Sequence, residues 1–407
     1  MSRPQPVMTR MLAMIVGVLV LLASGTALAG VGPAARLNRC LGERDAVLVT
    51  DCRSERVLYA RNETVPLVPA SIVKVVTSLA ALAGLGEDYR FETDFFVTPA
   101  GDLVIKGYGD PCFVSAEIEK AAAVVARHVQ KVGDIIVDDS YFAPIHIPGR
   151  AVPSLQPYDA PNGALCANFN TVAFVRDNGH YRSAEPETPL LPFAEKRLRR
   201  MPVSRGRVLL INHQDKAAEY AGRLFAWFFT AAGAEVQGEV RPGRADTQAD
   251  RLVYRHRSGF RLEDIVTRLM RYSNNFTANQ LMLACGARRK GAPATLAAGR
   301  AALRHYLEET LGIQNVRLAD GAGLSRENRI TVEAMDKALA AFRPYRPLMR
   351  RDGDDLYKTG NLNGVSTRVG FVDGPDGRLH RYVIMLNTPG KRTDLILPIV
   401  RELILSG

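Results

Sequence analysis

Little in this chain points to metal or cofactor chemistry. Tryptophan occurs once, at Trp227, and the seven histidines are scattered, with no His-Glu-x-x-His pair or comparable ligand spacing. The five cysteines (Cys40, Cys52, Cys112, Cys166 and Cys285) also lack metal-ligand spacing. No metal and no cofactor is therefore called for. Beyond the N-terminus no run is long and apolar enough to cross a bilayer, and no internal repeat or low-complexity tract occurs. Acidic residues are in deficit, 42 against 53 basic, giving a net charge of +11 and a pI of about 9.5. Such a balance suits nucleic acid, an acidic polymer or a membrane surface. The absence of zinc-finger spacing, of an RNA-binding aromatic signature and of a long basic tail disfavours nucleic acid.

What is present reads as an exported globular protein. Hydrophobic residues make up 47% and charged residues 23% of 407 residues, enough for two domains or one domain with a large insertion. Arg3 and Arg10 lead into an apolar run over 11–23, then small residues ending Ala27-Leu-Ala29-Gly30. This is the layout of a secretory signal over 1–29, cleaved after Ala29, and implies the periplasm. An odd number of cysteines in such a protein leaves at least one unpaired. Cys112–Cys166 and Cys40–Cys52 are the candidate disulfides, and spacing does not choose between them.

Strand patterns fall at both ends of the chain, at 45–50 and 56–60 and again at 357–358, 367–372 and 382–386. Turn signals stand at Asn363-Gly364 and Asp376-Gly377. Helical patterns dominate between 217 and 342. N- and C-terminal strands joining one antiparallel sheet covered by helices is the natural closure, an α+β fold. Residues 99–213 change texture, with loops over 141–170 and a basic stretch over 196–207, and read as an inserted smaller domain. The main domain is then 30–98 with 214–407. The amphipathic segment 395–405 either docks on the sheet or lies on a membrane surface.

One stretch carries an anomaly. From Ser71 the chain is apolar almost all round through Leu85, the pattern of a buried helix, yet it contains Lys74. Ser71 and Lys74 are three residues apart and share a helical face. Burial disfavours the ammonium form, and a neutral amine beside a hydroxyl is a base beside a nucleophile. Alone, the pair reads equally as an N-cap serine with a snorkelling lysine.

Two further elements bear on it. Ser273-Asn274-Asn275 sits at a break between helices, and Lys358-Thr359-Gly360, followed by Asn361, sits on a short strand. Ser-x-x-Lys, Ser-x-Asn and Lys-Thr-Gly each occur once, in this order and in these contexts, which is the signature of penicillin-binding proteins and class A β-lactamases. The chain resembles the D-alanyl-D-alanine carboxypeptidase/endopeptidase family, the class C low-molecular-mass penicillin-binding proteins. Further likeness lies at Gly109-Asp110-Pro111, at 138–142, at 164–168 and at 319–326. Three departures stand out: Asn274 replaces the commoner Asp, the insertion is shorter, and the family's tryptophan-bearing segment has no counterpart at 148–153.

The resemblance implies a β-lactamase/transpeptidase-like fold and a serine peptidase that cleaves peptidoglycan stem peptides or cross-links. β-Lactam antibiotics would acylate it. It implies Ser71 as nucleophile, Lys74 as base, and the N–H groups of Ser71 and Asn361 as oxyanion donors. Ser273 would relay a proton with Lys358 in a polar network, and Asn275 would hold the substrate amide. Thr359 with Lys358 would attract the terminal carboxylate, and Gly360 would let the substrate lie against the sheet edge. Tyr141, Asp159 and Asn168 are further candidate substrate contacts. A β-lactamase-like hydrolase and a catalytically silent cell-envelope binding protein are the competing readings.

Overall fold

The computed structural model describes residues 32–201, 204–374 and 377–406. The expected export signal at 1–29 and Asp376 of the second turn lie outside the described residues. Helix α1 (Pro33–Cys40) precedes the hairpin β1 (Asp45–Asp51) and β2 (Val57–Arg61). One 3-10 turn (Ala70–Val73) then feeds α2 (Lys74–Leu85), whose residues from Lys74 to Leu82 are all buried. A helix apolar on every side has been placed inside, as its pattern requires.

The chain then leaves for a second body. It contains β3 (Glu92–Val97), β4 (Leu103–Gly107), α3 (Ser115–His128) and β5 (Ile135–Asp138). A small antiparallel sheet follows from β6 (Thr171–Asp177), β7 (His180–Ser183) and β8 (Arg205–Leu209), with α4 (Pro192–Leu198) between β7 and β8. Next come α5 (Gln214–Ala231), β9 (Val240–Pro242) and β10 (Arg251–Arg257). The larger sheet has the order β9-β5-β4-β3-β10. Phe95, Ile118, Leu224 and Phe225 share one core with partly buried Tyr254 packed on it. That core draws in β3, α5 and β10, on either side of the 99–213 span, because α5 buries its apolar stripe against α3 and β5. Strand β10 has no alternating apolar pattern. Its Arg255 and Arg257 pair across the sheet with Asp94 and Glu92.

Returning, the chain forms α6 (Leu262–Tyr272), α7 (Asn275–Lys290), α8 (Leu296–His305) and α9 (Val332–Phe342). Thr331 caps α9, its hydroxyl accepting from the Ala334 N–H at 3.0 Å. Strands β11 (Arg350–Asp352), β12 (Asp355–Leu362), β13 (Val365–Asp373) and β14 (Leu379–Leu386) and helix α10 (Thr393–Ser406) close the chain. One antiparallel sheet results, in the order β11-β12-β13-β14-β1-β2, so both chain ends meet where β1 pairs β14 from Asp45↔Leu386 to Asp51↔His380. Helices α2, α6, α7 and α9 cover one face. On the other, Ile396, Val400 and Ile404 of α10 pack with Leu37 of α1 on Val49 and Tyr382. The closing amphipathic helix thus docks on the sheet. Both faces of the sheet are buried, and each buried Leu, Ile or Phe contributes about 1.5–3 kcal/mol. All five cysteines are free thiols, Cys40 exposed and the others buried.

Candidate active site

The site is built where the 3-10 turn meets the sheet edge. Pro69 enters the turn, and Ala70 takes a left-handed φ of +50°, uncommon for a residue with a Cβ. The fit around it is tight: a Cβ on Gly323 would stand 1.9 Å from the Ala70 carbonyl oxygen. Ser71 emerges half-buried and Lys74 is fully buried. Lys74 Nζ lies 2.8 Å from Ser71 Oγ, 2.9 Å from Asn275 Oδ1 and 2.6 Å from the Ala322 carbonyl oxygen.

Asn275 reaches this point because α6 stops sharply. Ser273 ends α6 with φ +57°, its N–H bonding back to the Leu269 carbonyl. Asn274 then caps α7, accepting from the Thr277 N–H at 3.1 Å. Asparagine caps as well as aspartate does, so the Ser-Asn-Asn departure leaves the local geometry supported. Asn275 opens α7 and donates Nδ2–H to the Tyr158 carbonyl at 3.3 Å, which turns its Oδ1 toward Lys74.

The third element comes from β12. Lys358 Nζ is buried, 2.7 Å from Ser273 Oγ and 2.7 Å from the Thr359 carbonyl oxygen. A Cβ on Gly360 would lie 2.5 Å from the Ser71 nitrogen, so glycine alone lets β12 lie against the turn. Strand β11 pairs only with Asp355–Tyr357 of β12. From Lys358 onward that side of β12 carries no strand partner among the described residues. Thr359 is half-buried and Asn361 exposed beside this open edge.

The structure therefore joins Ser71, Lys74 and Asn275 in one hydrogen-bonded cluster and Ser273 with Lys358 in another. Gly360 packs on the turn between them, with Thr359 and Asn361 on either side. Two of the further candidates are committed elsewhere. Asn168 bonds Ser115 through both ends of its amide, and Asp159 accepts from Ser154 Oγ and the Ala151 N–H. Tyr141 packs edge-on against Tyr108.

The Ala322 carbonyl was not foreseeable, since a backbone oxygen leaves no trace in residue type. Asp320 supports it. That buried carboxylate accepts from the N–H groups of Ala322, Gly323, Leu324 and Ser325 and from Asn328 Nδ2, all within 2.7–3.1 Å. Thr77 Oγ1 donates to the Gly321 carbonyl at 2.7 Å and ties the same loop to α2.

Electrostatics separates the two lysines from ordinary ones. Burial holds the Lys74 pKa well below the usual lysine value, with the Lys358 charge pushing the same way and Asp320 opposing. Burial, aided by Arg350, brings Lys358 down to about 7. Burial thus favours the uncharged amine beside Ser71 and leaves the one beside Ser273 titrating at about 7.

A family model described as the D-Ala-D-Ala carboxypeptidase 3 (S13) family matches residues 34–193 and 200–348. The D-alanyl-D-alanine carboxypeptidase of Actinomadura sp. (strain R39) is 26% identical over 421 residues, covering 83% of this chain and 77% of the relative. Among solved structures, penicillin binding protein 4 (dacB) from Haemophilus influenzae has a TM-score of 0.72 at 19% identity, covering 92% of this chain and 98% of that one. The same protein complexed with a novel β-lactam matches at a TM-score of 0.67, 20% identity and the same coverage. These structures share the fold.

Proposed function

Since the chain belongs to the D-Ala-D-Ala carboxypeptidase 3 (S13) family, we propose that Ser71, Lys74, Ser273, Asn275 and Lys358 perform its serine-peptidase chemistry on peptidoglycan stem peptides. Cross-links and β-lactams would enter through the same acyl-enzyme, and the site of action would be the periplasm. The observation that carries the reading is the hydrogen-bond balance at Lys74. Asn275 Oδ1 and the Ala322 carbonyl can only accept. An ammonium could give one N–H to each of these and one to Ser71 Oγ at 2.8 Å, but burial disfavours the charge. The neutral amine keeps two N–H groups for the carbonyls and turns its lone pair to the Ser71 hydroxyl.

The reaction follows from that balance. The extended stem peptide adds along the open edge of β12 at Lys358–Leu362. Lys358 and Thr359 draw in the terminal carboxylate, and the Asn275 amide steadies the peptide. Ser71 Oγ attacks the carbonyl carbon of the penultimate D-alanine while its proton passes to Lys74 Nζ. The oxyanion sits against the Ser71 and Asn361 N–H groups. The C–N bond then breaks as the proton held on Lys74 passes through Ser273 Oγ to the leaving D-alanine nitrogen, which frees the amine again. Water, deprotonated by the same amine, hydrolyses the ester and restores Ser71.

Digestion of purified muropeptides tests the reading, with Ser71→Ala as control. Released D-alanine reports trimming, and loss of dimers reports cross-link cleavage. No change in either would sink it.

A further inference from the structure

A second feature stands apart from this chemistry. On the second body, α4, α5 and the residues just after β8 line a cavity of about 600 Å³ that carries Lys196, Arg197, Arg200 and Arg223, with Glu219 also on its wall. None of these four makes an ion pair among the described residues, whereas neighbouring Arg199 pairs with Glu195 and Lys216 with Glu219. Arg197 Nε is buried with no hydrogen-bond partner. A buried guanidinium donor left unsatisfied costs stability unless a ligand completes it. Phe193 and Arg223 also line an adjoining depression of about 920 Å³ that contains Trp227, so the two form one groove.

The groove is laid out along a helix. Lys216, Tyr220, Arg223 and Trp227 recur at helical spacing on one face of α5, a stripe roughly 16 Å long. Trp227, the chain's single tryptophan, is 47% exposed. Its ring is held edge-on by Phe228 with centroids 4.9 Å apart. At one end four cations without ion pairs among the described residues outweigh Glu219, which Lys216 neutralises, and at the other an exposed aromatic plane stands near Glu239. The excess of cations over carboxylates matches a ligand that carries carboxylates on a chain with apolar faces. A concave trough of this length suits an extended strand. A flat lipid surface would meet a protruding patch more readily.

Leu155 lines the groove, and the Leu209 N–H donates to its carbonyl at 2.9 Å. Three residues later, the Tyr158 carbonyl accepts from Asn275 in the active site. Three residues of chain span at most about 11 Å. Leu155 in the groove wall is therefore within about 11 Å of Tyr158, whose carbonyl touches the active site.

We infer that this groove holds a neighbouring segment of the peptidoglycan strand whose stem peptide the active site cleaves. Arg197, Arg200 and Arg223 take stem-peptide carboxylates, and Trp227 stacks against a sugar face. The inference rests on the reading of the enzyme as a peptidoglycan peptidase, and two assays separate the two claims. The full chain, with Arg197→Glu, Arg200→Glu and Arg223→Glu combined or with Trp227→Ala alone, is sedimented with insoluble peptidoglycan sacculi. Each is also assayed on a small soluble peptide ending in D-Ala-D-Ala. Sacculus binding should fall about tenfold or more in the triple variant and several-fold in Trp227→Ala, roughly the scale of losing charge-assisted contacts. Turnover of the soluble peptide should stay within about twofold. Unchanged sacculus binding would overturn the inference. So would wild-type binding to phosphatidylglycerol vesicles without binding to sacculi, which would make the groove a membrane contact. Absence of soluble-peptide turnover in the wild type would instead remove the catalytic reading on which the inference rests.

Discussion

Lys74 Nζ stands 2.8 Å from Ser71 Oγ, and every hydrogen-bond partner of that amine is uncharged. A lysine in an ion pair would be pinned as the ammonium. This one has a carboxylate, Asp320, only at longer range, and burial dominates its titration. Replacing Lys74 by Met keeps the apolar stem and removes the lone pair. Acylation by labelled penicillin should slow by about 100- to 10,000-fold, the usual worth of a positioned base. The melting temperature should stay within a few degrees of wild type, because relief of the amine's desolvation offsets the donors lost by Asn275 Oδ1 and the Ala322 carbonyl. Rapid labelling of the Met variant would show that another group takes the Ser71 proton.

The pH profile should carry both lysines. Lys74 must be neutral to act, so activity falls on the acid side, at a pH well below the ordinary lysine value. Lys358 must be charged to attract a carboxylate, and in the free enzyme it loses its proton through about 7. Hence kcat/KM should decline as pH rises past that point, while kcat declines at higher pH because bound carboxylate stabilises the ammonium. The two amines interact, so the limbs belong to the pair. Arginine at 358 cannot lose its proton, and Lys358→Arg should flatten the alkaline limb at a reduced overall rate. An alkaline limb that persists in that variant would assign it to a different group.

These expectations also mark what was legible beforehand. Ser71, Lys74, Ser273, Asn275, Lys358 and Gly360 could be singled out because each role needs a particular side chain, or its absence, at fixed spacing. The antiparallel sheet was legible from strands at both chain ends. Strand β10 was not, since its arginines face carboxylates across the sheet and erase the apolar alternation. Helix α4 was hidden in a basic stretch for a similar reason, burying only Ala194 and Leu198. The Ala322 and Tyr158 carbonyls were out of reach because any residue could supply them.

Gly360 offers a test of fit. A Cβ there would meet the Ser71 nitrogen and Thr367 Oγ1 at 2.5 Å each, closer than any real contact. Gly360→Ala must push β12 off the turn. The expected cost is about 1–3 kcal/mol in chemical denaturation. Because the displacement falls between nucleophile and strand edge, acylation should drop by about 100-fold. A variant that loses stability but acylates normally would show that the substrate does not use this edge.

Asp320 separates positioning from mere packing. Its two oxygens accept four backbone N–H groups and the Asn328 amide, so the carboxylate shapes the loop that presents the Ala322 carbonyl to Lys74. Asp320→Asn must turn an NH2 group toward donors in either orientation. The expected destabilisation is about 2–4 kcal/mol. A purely structural residue would do no more than that. The negative charge of Asp320 also favours the Lys74 ammonium, so its removal should make the amine still harder to protonate. Measured on folded enzyme, the acid limb of penicillin acylation should therefore move to lower pH in Asp320→Asn, even as the rate on the plateau falls. An acid limb that stays in place, or moves to higher pH, would mean that Asp320 does not act on the base at all.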